Sequence, residues 1–377
     1  MTSFVVIGAG GTAGHIFPAV AISERLVDLG ITSGSIAFVT STRAVEDDVF
    51  RNLEYERIAL KLQGVRLKRP WSLVRFSVQI ATSFWQVRRF LKEKNASVVL
   101  VFGGYVSVVV SFAARSLGIP IVAVETNAVM GKANVIASKI ARKTYRAFVK
   151  DGQSAFKSSS VPLRKCVLDL VPTAGLREEL LLKLGFNPAN LDRFIVVFGG
   201  SLGSRRINEA ITQYLTNVSN TSGKTWGFYV VTGSRDAPMF KARLEALKAN
   251  KALQVAFCRY DDDLNVALGI CDLVICRSGS NTIAELDHFS TPAVLVPLPN
   301  SPKDHQMLNA RWYVDQGHAA IIADDLCSAN VLGKAIDEQI SRQSSFLSRI
   351  GTKNYKEKLD YDSAQLFATE IFDLYLS

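Results

Sequence analysis

Long apolar runs are missing from this sequence. The densest, VVLVF at 98–102 and VSVVVSFAA at 106–114, are broken by glycine, serine or charge, and neither approaches the roughly 18 residues that cross a bilayer. Cysteine is sparse: Cys166, Cys258, Cys271, Cys276 and Cys327 are scattered, with no C-x-x-C pair. An odd, dispersed set argues for reduced thiols, most of them small core residues, and against a disulfide framework. Low-complexity tracts are absent. The opening MTSFVVIGAGG has no basic stretch ahead of an apolar one, so we expect no secretory signal and a cytosolic chain.

What remains is a globular composition, 48% hydrophobic and 21% charged over 377 residues, enough for two domains with separate cores. The net charge of +10 is unevenly spread. Residues 1–160 hold 21 Lys and Arg against 10 Asp and Glu, whereas 161–377 hold 23 against 24. An anionic partner is therefore expected for the first half, with nucleic acid, membrane and phosphorylated substrate all open.

Short apolar runs alternate with segments of helical period throughout, which predicts parallel α/β sheets. Strands are expected at 3–8, 35–40, 97–102, 119–124 and 145–149, then at 194–198, 226–231, 254–258, 272–276 and 292–296. Helices are expected at 14–30, 71–94, 205–219, 240–249, 281–289 and 304–317. The serine-rich FKSSSVPLRK interrupts the pattern, giving domains at 1–162 and 163–340. A helical segment at 341–377 is expected to pack back on the first domain.

An internal echo runs through FVVIGAGGTAGHI, VVLVFGGYVSVVVSFAA, FIVVFGGSLGSRRINEAI and LVICRSGSNTIAEL. The first three run strand, Gly-Gly, small polar residue, helix, and the fourth carries Arg-Ser-Gly-Ser at the turn. Glycine at such turns admits a close ligand, and the helix that follows directs free N–H groups at it. Gly8 to Ala13 also satisfies the dinucleotide fingerprint G-x-G-x-x-G/A. NAD would need an acid at the end of the second strand, where Ser41-Thr42-Arg43 stand instead. Arg43 suits NADP, which keeps an oxidoreductase open. His15, at the helix start, is better used on a reacting hydroxyl.

The second half offers a nucleotide site at CRSGSNTIAEL. Ser278 to Thr282 form a polar helix start suited to a diphosphate, and Glu285, one turn beyond Asn281, can accept from ribose hydroxyls. Gly199 to Ser204 add backbone donors and a hydroxyl. Asp304, His305, Gln306 and Asn309 gather at a further helix start, and such donors and acceptors suit sugar hydroxyls.

The ordered set GAGGTAGHIFPAVA, GGYVS, SLGIPIVAVETN, VPLR, FGGSLGSRRIN, CRSGSNTIAEL and KDHQMLNA closely resembles the MurG family, over residues 4 to 320. That family transfers N-acetylglucosamine from its UDP donor to the membrane-borne muramyl-pentapeptide lipid I, giving lipid II for peptidoglycan. The resemblance implies two Rossmann-like parallel-sheet domains facing across a cleft, the glycosyltransferase-B fold, with the donor nucleotide on the C-terminal domain. It sets Thr12, Ala13 and Gly14 beside the donor sugar and diphosphate, with His15 just behind. Asn127 then reaches the sugar, Arg164 and Ser201 the uridine diphosphate, Ser280, Asn281, Thr282 and Glu285 the diphosphate and ribose, and Gln306 the sugar hydroxyls. The uracil-reading segment falls at Tyr260-Asp261, where a hydrophobic residue is usual instead of Asp261. The chain also departs at Ala13, where Gly is usual, at Val124-Glu125-Thr126-Asn127 for His-Glu-Gln-Asn, and in GGYVS continuing as Val-Val.

Within RLKRPWSLVRFSVQIATSFWQVRRFLKEK, a helix lines up Leu73, Ile80, Phe84, Val87 and Leu91 for the core. Beside them Trp71, Arg75, Val78, Trp85 and Arg89 make a tryptophan–arginine stripe, which suits anionic headgroups. We therefore expect peripheral attachment at the cytoplasmic face of the bacterial membrane. RNA is not expected, because no RNP-type aromatic pair is present. The expected chemistry is inverting transfer to the 4-hydroxyl of the muramyl sugar, with His15 or Glu125 as base. No metal or cofactor is expected: Asp261-Asp262-Asp263 is read as an acid cluster at a helix start, and helix N-termini and Arg164 can stabilise departing UDP. A different lipid acceptor, a UDP-sugar epimerase and a non-catalytic membrane binder stay open beside the oxidoreductase.

Overall fold

The structure, a computed structural model, describes residues 3–51, 53–62, 70–148, 161–200, 202–218, 225–235, 237–248, 253–359 and 361–376. Of residues 44, 45, 48, 70–75, 248, 353 and 354 it describes only the backbone. The chain divides into two compact units, Met1–Lys165 with Asp362–Ser377, and Cys166–Tyr361.

The elements run β1 (Phe4–Gly8), α1 (Ala13–Asp28), β2 (Ile36–Ser41), α2 (Ala44–Phe50), β3 (Glu56–Leu60), α3 (Pro70–Glu93) and β4 (Ala96–Val101). There follow α4 (Gly104–Ser116), β5 (Ile121–Glu125), α5 (Lys132–Ser138), β6 (Lys143–Arg146), α6 (Lys165–Leu168), α7 (Ala174–Lys183) and β7 (Arg193–Phe198). Next come α8 (Arg205–Val218), β8 (Trp226–Val231), α9 (Ala237–Lys248), β9 (Gln254–Cys258), α10 (Leu264–Ile270), β10 (Leu273–Cys276) and α11 (Ser280–His288). The last are β11 (Ala293–Leu295), α12 (His305–Asp315), β12 (Ala319–Ile321), α13 (Ala329–Arg342), α14 (Phe346–Arg349), α15 (Lys353–Leu359) and α16 (Ser363–Leu376).

All the described pairings are parallel, in two sheets ordered β3-β2-β1-β4-β5-β6 and β12-β11-β10-β7-β8-β9. Counted outward from its first strand, each sheet has the same order. Helices cover both faces of such a sheet, so its central strands must be apolar throughout. FVVIG, ASVVLV, RFIVVF and LVIC meet that demand. The four sequence echoes are these strands, β1 and β4 in one sheet and β7 and β10 in the other.

Two strands were not expected, β3 and β12. Each is an edge strand, and ERIAL and AAI lack the apolar run that two covered faces impose. On α3, Val87 and Leu91 are fully buried and Ile80 and Phe84 pack on the same core, as the apolar stripe predicts; the Leu73 side chain lies outside the described residues. The terminal segment divides at a later point than 341. Helix α16 packs on α1, with Phe367, Ala368 and Ile371 in the first unit's core and the Ser363 hydroxyl donating to the Val161 carbonyl at 2.9 Å. Residues 341–361 stay with the second unit, because the Phe346 N–H donates to Asp272 at 2.8 Å and Lys358 pairs with Asp287 at 2.7 Å.

Candidate active site

In an open parallel sheet, ligands bind outside the carboxyl ends of the strands where the strand order reverses. For the first unit that point lies between β1 and β4. Glu46 on α2 is 0% exposed, and its carboxylate takes the Gly11 N–H at 2.7 Å, the Ser41 N–H at 2.6 Å and the Ser41 hydroxyl at 2.5 Å. The Arg43 guanidinium closes on the Gly11 carbonyl. This overturns the dinucleotide reading of the first glycine loop. A donor that a pyrophosphate would need is already held by a buried carboxylate, whose charge would repel a second anion.

His15 stands on the first turn of α1, with Nδ1 at 3.0 Å from the Gly10 carbonyl oxygen. A carbonyl only accepts, so in the neutral ring Nδ1 carries the proton and Nε2 keeps its lone pair. A Cβ on Gly103 would come within 3.2 Å of Nε2, and Gly103 has φ +113. Glycine there keeps the Nε2 edge of the ring clear. Ser107, which the sequence reading passed over, fixes that glycine: its buried hydroxyl takes the Gly103 N–H at 2.8 Å.

Glu125, expected as the alternative base, is only 3% exposed. Its Oε1 takes the Asn127 N–H at 2.9 Å and the Asn127 amide at 3.1 Å; its Oε2 takes the Gly131 N–H at 2.8 Å and the Asn134 amide at 2.9 Å. Four donors fill the acceptor capacity of a carboxylate. Glu125 therefore orders the loop that carries Asn127 and has no acceptor site left for a substrate proton. Thr12 is exposed at the α1 N-terminus, Ala13 and Gly14 are half-buried, and the Thr126 hydroxyl reaches the Gly14 carbonyl at 3.4 Å. Arg164 lies over the Phe17 ring of α1, 4.4 Å from its centroid.

The second unit reverses its strand order between β7 and β10. A Cβ on Gly233 would fall 2.1 Å from the Gly203 nitrogen, so the backbone after β8 meets the loop after β7 where only glycine fits. Ser201 lies outside the described residues. Asn281, Thr282 and Glu285 are half-buried on the first turns of α11, while Ser280 is buried, which leaves it chiefly its backbone N–H to offer. The buried Ser278 hydroxyl donates to the Gln306 carbonyl at 2.8 Å, and the Gln306 side-chain oxygen takes the Leu298 N–H at 2.9 Å. That bond turns the Gln306 NH2 donors away from the loop.

Arg277 opens the α11 loop and was given no role in the sequence reading. It donates to the carbonyls of Val296 and Pro297 at 3.0 and 3.1 Å and to the Ser204 hydroxyl at 2.7 Å, and it pairs with Asp324 at 2.6 Å. One guanidinium thus joins the loops that follow β7, β10 and β11. Asp261 follows β9, where its carboxylate takes the Tyr229 hydroxyl at 2.8 Å and the Asp263 N–H at 3.0 Å. These bonds give the acid a place where the family usually has a hydrophobic residue, and Asp263 stands at the N-cap position of α10 without a side-chain capping bond.

On the α3 face, Trp85 is 63% and Val78 57% exposed, and Arg89 is exposed with Glu93 as partner at 2.6 Å. Tyr105 and Phe112 on the adjoining α4 are also exposed, and the two helices are linked by the Phe76–Tyr105 ring contact and an Arg88–Ser116 hydrogen bond. The Trp71 and Arg75 side chains lie outside the described residues. Among the described residues, no helix is long and apolar enough to cross a membrane.

Residues 5–146 match the glycosyltransferase family 28 N-terminal domain and 194–365 the glycosyltransferase family 28 C-terminal domain. A Myxococcus xanthus protein named UDP-N-acetylglucosamine--N-acetylmuramyl-(pentapeptide) pyrophosphoryl-undecaprenol N-acetylglucosamine transferase is 31% identical over 343 residues, 89% of this chain and 84% of that one. The crystal structure of Acinetobacter baumannii MurG superimposes with a TM-score of 0.72 and 25% identity, over 99% of both chains. The chain belongs to the MurG family. A MurG relative of the same name from Bacteroides thetaiotaomicron, 28% identical, covers 98% of this chain and 97% of its own. The two family 28 matches reach the carboxyl ends of β1 and β4 and of β7 and β10, so both switch points lie within the region shared with MurG.

Proposed function

We propose that this protein transfers N-acetylglucosamine from UDP-N-acetylglucosamine to the 4-hydroxyl of undecaprenyl-pyrophosphoryl-MurNAc-pentapeptide, forming lipid II with inversion at the anomeric carbon. The observation that carries this is the likeness to MurG proteins of that name along almost the whole chain, through both units. In the proposed step His15 Nε2 takes the proton of the acceptor hydroxyl as the O4–C1 bond forms. The bond from C1 to the diphosphate oxygen breaks, and UDP leaves with the electron pair. The Gly10 carbonyl supports this role by holding Nδ1–H, which presents a basic Nε2.

The departing diphosphate lies at the N-terminus of α11, whose N–H groups and partial positive charge stabilise it, with Ser201 and Arg164 as further contacts. Glu285 accepts from the ribose hydroxyls, the segment at Asp261 reads the uracil, and Gln306 donates to the sugar hydroxyls. Thr12, Ala13, Gly14 and Asn127 line the sugar. The exposed apolar and basic side chains of α3 and α4 support attachment to the anionic cytoplasmic face of the bacterial membrane, where a lipid-borne acceptor resides.

The test is UDP release from UDP-N-acetylglucosamine with lipid I or a soluble analogue, run beside unrelated lipid-linked sugars. Release that depends on the muramyl acceptor is expected. Equal release with every acceptor, or none with the muramyl one, would refute the reading.

A further inference from the structure

At the end of the second sheet opposite the loops described above, a cavity of about 130 Å³ is lined by Ser290, His318, Arg349, Thr352 and Tyr355, among others. Ser290 lies shortly before β11, His318 immediately precedes β12, and Arg349 is bonded to Cys271, ahead of β10. The cavity therefore sits at the amino ends of these strands, whereas the loops tied by Arg277 sit at their carboxyl ends. It is well below the roughly 300 Å³ at which pockets for nucleotides and similar ligands begin.

Arg349 is 7% exposed. Its Nη2 donates to the Cys271 carbonyl at 2.9 Å, but Nε and Nη1 meet no partner among the described residues. The Ser290 and Tyr355 hydroxyls, both buried, are likewise without partners among the described residues. Four unpaired polar atoms thus belong to three residues that line one small cavity. A single orphan of this kind would be a packing cost, and several around one guanidinium are the mark of a site.

The charges nearby do not cancel. Arg349 and Arg177 flank the Phe346 ring and share one acid, Asp272, which Arg177 already pairs at 2.7 Å; Asp287 is matched by Lys358. Burial lowers the pKa of His318 and pushes the Tyr355 hydroxyl up to about 12, so both face the cavity neutral at pH 7. Among these described side chains one positive charge is left over, and arginine with hydroxyl donors is the chemistry that recognises oxyanions.

We propose that Arg349, Ser290 and Tyr355 form a binding site for a small oxyanion, carboxylate or phosphate-like, at the amino ends of β10, β11 and β12. The bound anion joins α14 and α15 to the sheet and stabilises the last part of the second unit before the chain passes to α16. This site is independent of the reaction proposed above.

The full-length protein, with UDP present at a fixed excess, is titrated with inorganic phosphate, and in parallel with sulfate and acetate. Chloride holds the ionic strength constant while Tm is followed. A saturable rise in Tm with at least one oxyanion is expected. A response to phosphate and sulfate assigns a tetrahedral anion, and a response to acetate alone assigns a carboxylate. Arg349→Met should abolish the saturable rise, and the Ser290→Ala, Tyr355→Phe double variant should weaken half-saturation about tenfold. No saturable rise in the wild type, or one that R349M retains in full, would overturn the proposal. If R349M does not fold, an unchanged half-saturation in the double variant overturns it.

Discussion

In the first unit, the loops after β1 and β5 are held by buried carboxylates, Glu46 on the Gly11 N–H and Glu125 on the N–H groups of Asn127 and Gly131. In the second, the loops after β7, β10 and β11 are held by a guanidinium, Arg277, on carbonyl and hydroxyl oxygens. The strand order is the same, but the buried tether is a carboxylate in the first unit, where Arg43 closes on the Gly11 carbonyl from the exposed side, and a guanidinium in the second. A carboxylate tether uses up N–H donors and leaves negative charge behind the loop. A guanidinium tether uses up acceptors and spares the N–H donors, its own charge being balanced by Asp324. The second arrangement suits a diphosphate, and the first suits a neutral hydroxyl with a base beside it. Under the proposed function, the switch points are where a ligand lies in each sheet, and the tether favours one kind of ligand over another.

Removing the guanidinium should have the broadest effect. Arg277→Met strands the partly buried Asp324 carboxylate and two carbonyls, which costs about 1–3 kcal/mol. A lower Tm and weaker UDP binding are expected, with partial recovery in Arg277→Lys. Wild-type UDP affinity in R277M, measured by calorimetry, would break the link between tether and ligand.

The two candidate bases sharpen the other side of the comparison. His15→Ala should lower kcat by about 10²–10⁴ with little change in Tm, since it removes the proton acceptor. Glu125→Gln turns an NH2 toward donors and should cost about 1–3 kcal/mol of stability while kcat changes only severalfold. The reverse pattern would return the base to Glu125.

A third contrast concerns pH. Burial pushes His288, on α11, down to about 4 from an ordinary 6.5. Below pH 6.5 the unfolded chain takes up a proton that the folded one refuses. Stability is thus full above that pH and falls toward pH 4, by about 3 kcal/mol in total. Urea titrations across this range should show the decline, and His288→Phe should flatten it. The smallest effect is expected at the surface: Trp85→Ala should weaken binding to anionic vesicles about tenfold, with transfer to a soluble acceptor unchanged.

The glycine turns made the four switch-point strands legible in the sequence, because a strand buried on both faces and a tight turn each restrict the residues allowed. The placement of His15 and the α11 residues at the helix starts was legible for the same reason, since they sit on those turns. The edge strands β3 and β12 were not, as half-exposed strands carry no such restriction. Nor were the tethers. Glu46 acts on Gly11 and Arg277 on Ser204, residues 35 and 73 positions away, and no local pattern marks such a contact. Glu125 is a related case: a carboxylate at the end of a strand reads as a base, and the four donors it holds are seen only in the fold.

Hydrogen exchange of backbone amides with and without UDP tests the assignment of the diphosphate most directly. Protection should appear in peptides covering residues 277–283, while the Gly11 amide, already bonded to Glu46, keeps its exchange rate. Protection confined to residues 9–12, with 277–283 unchanged, would contradict it.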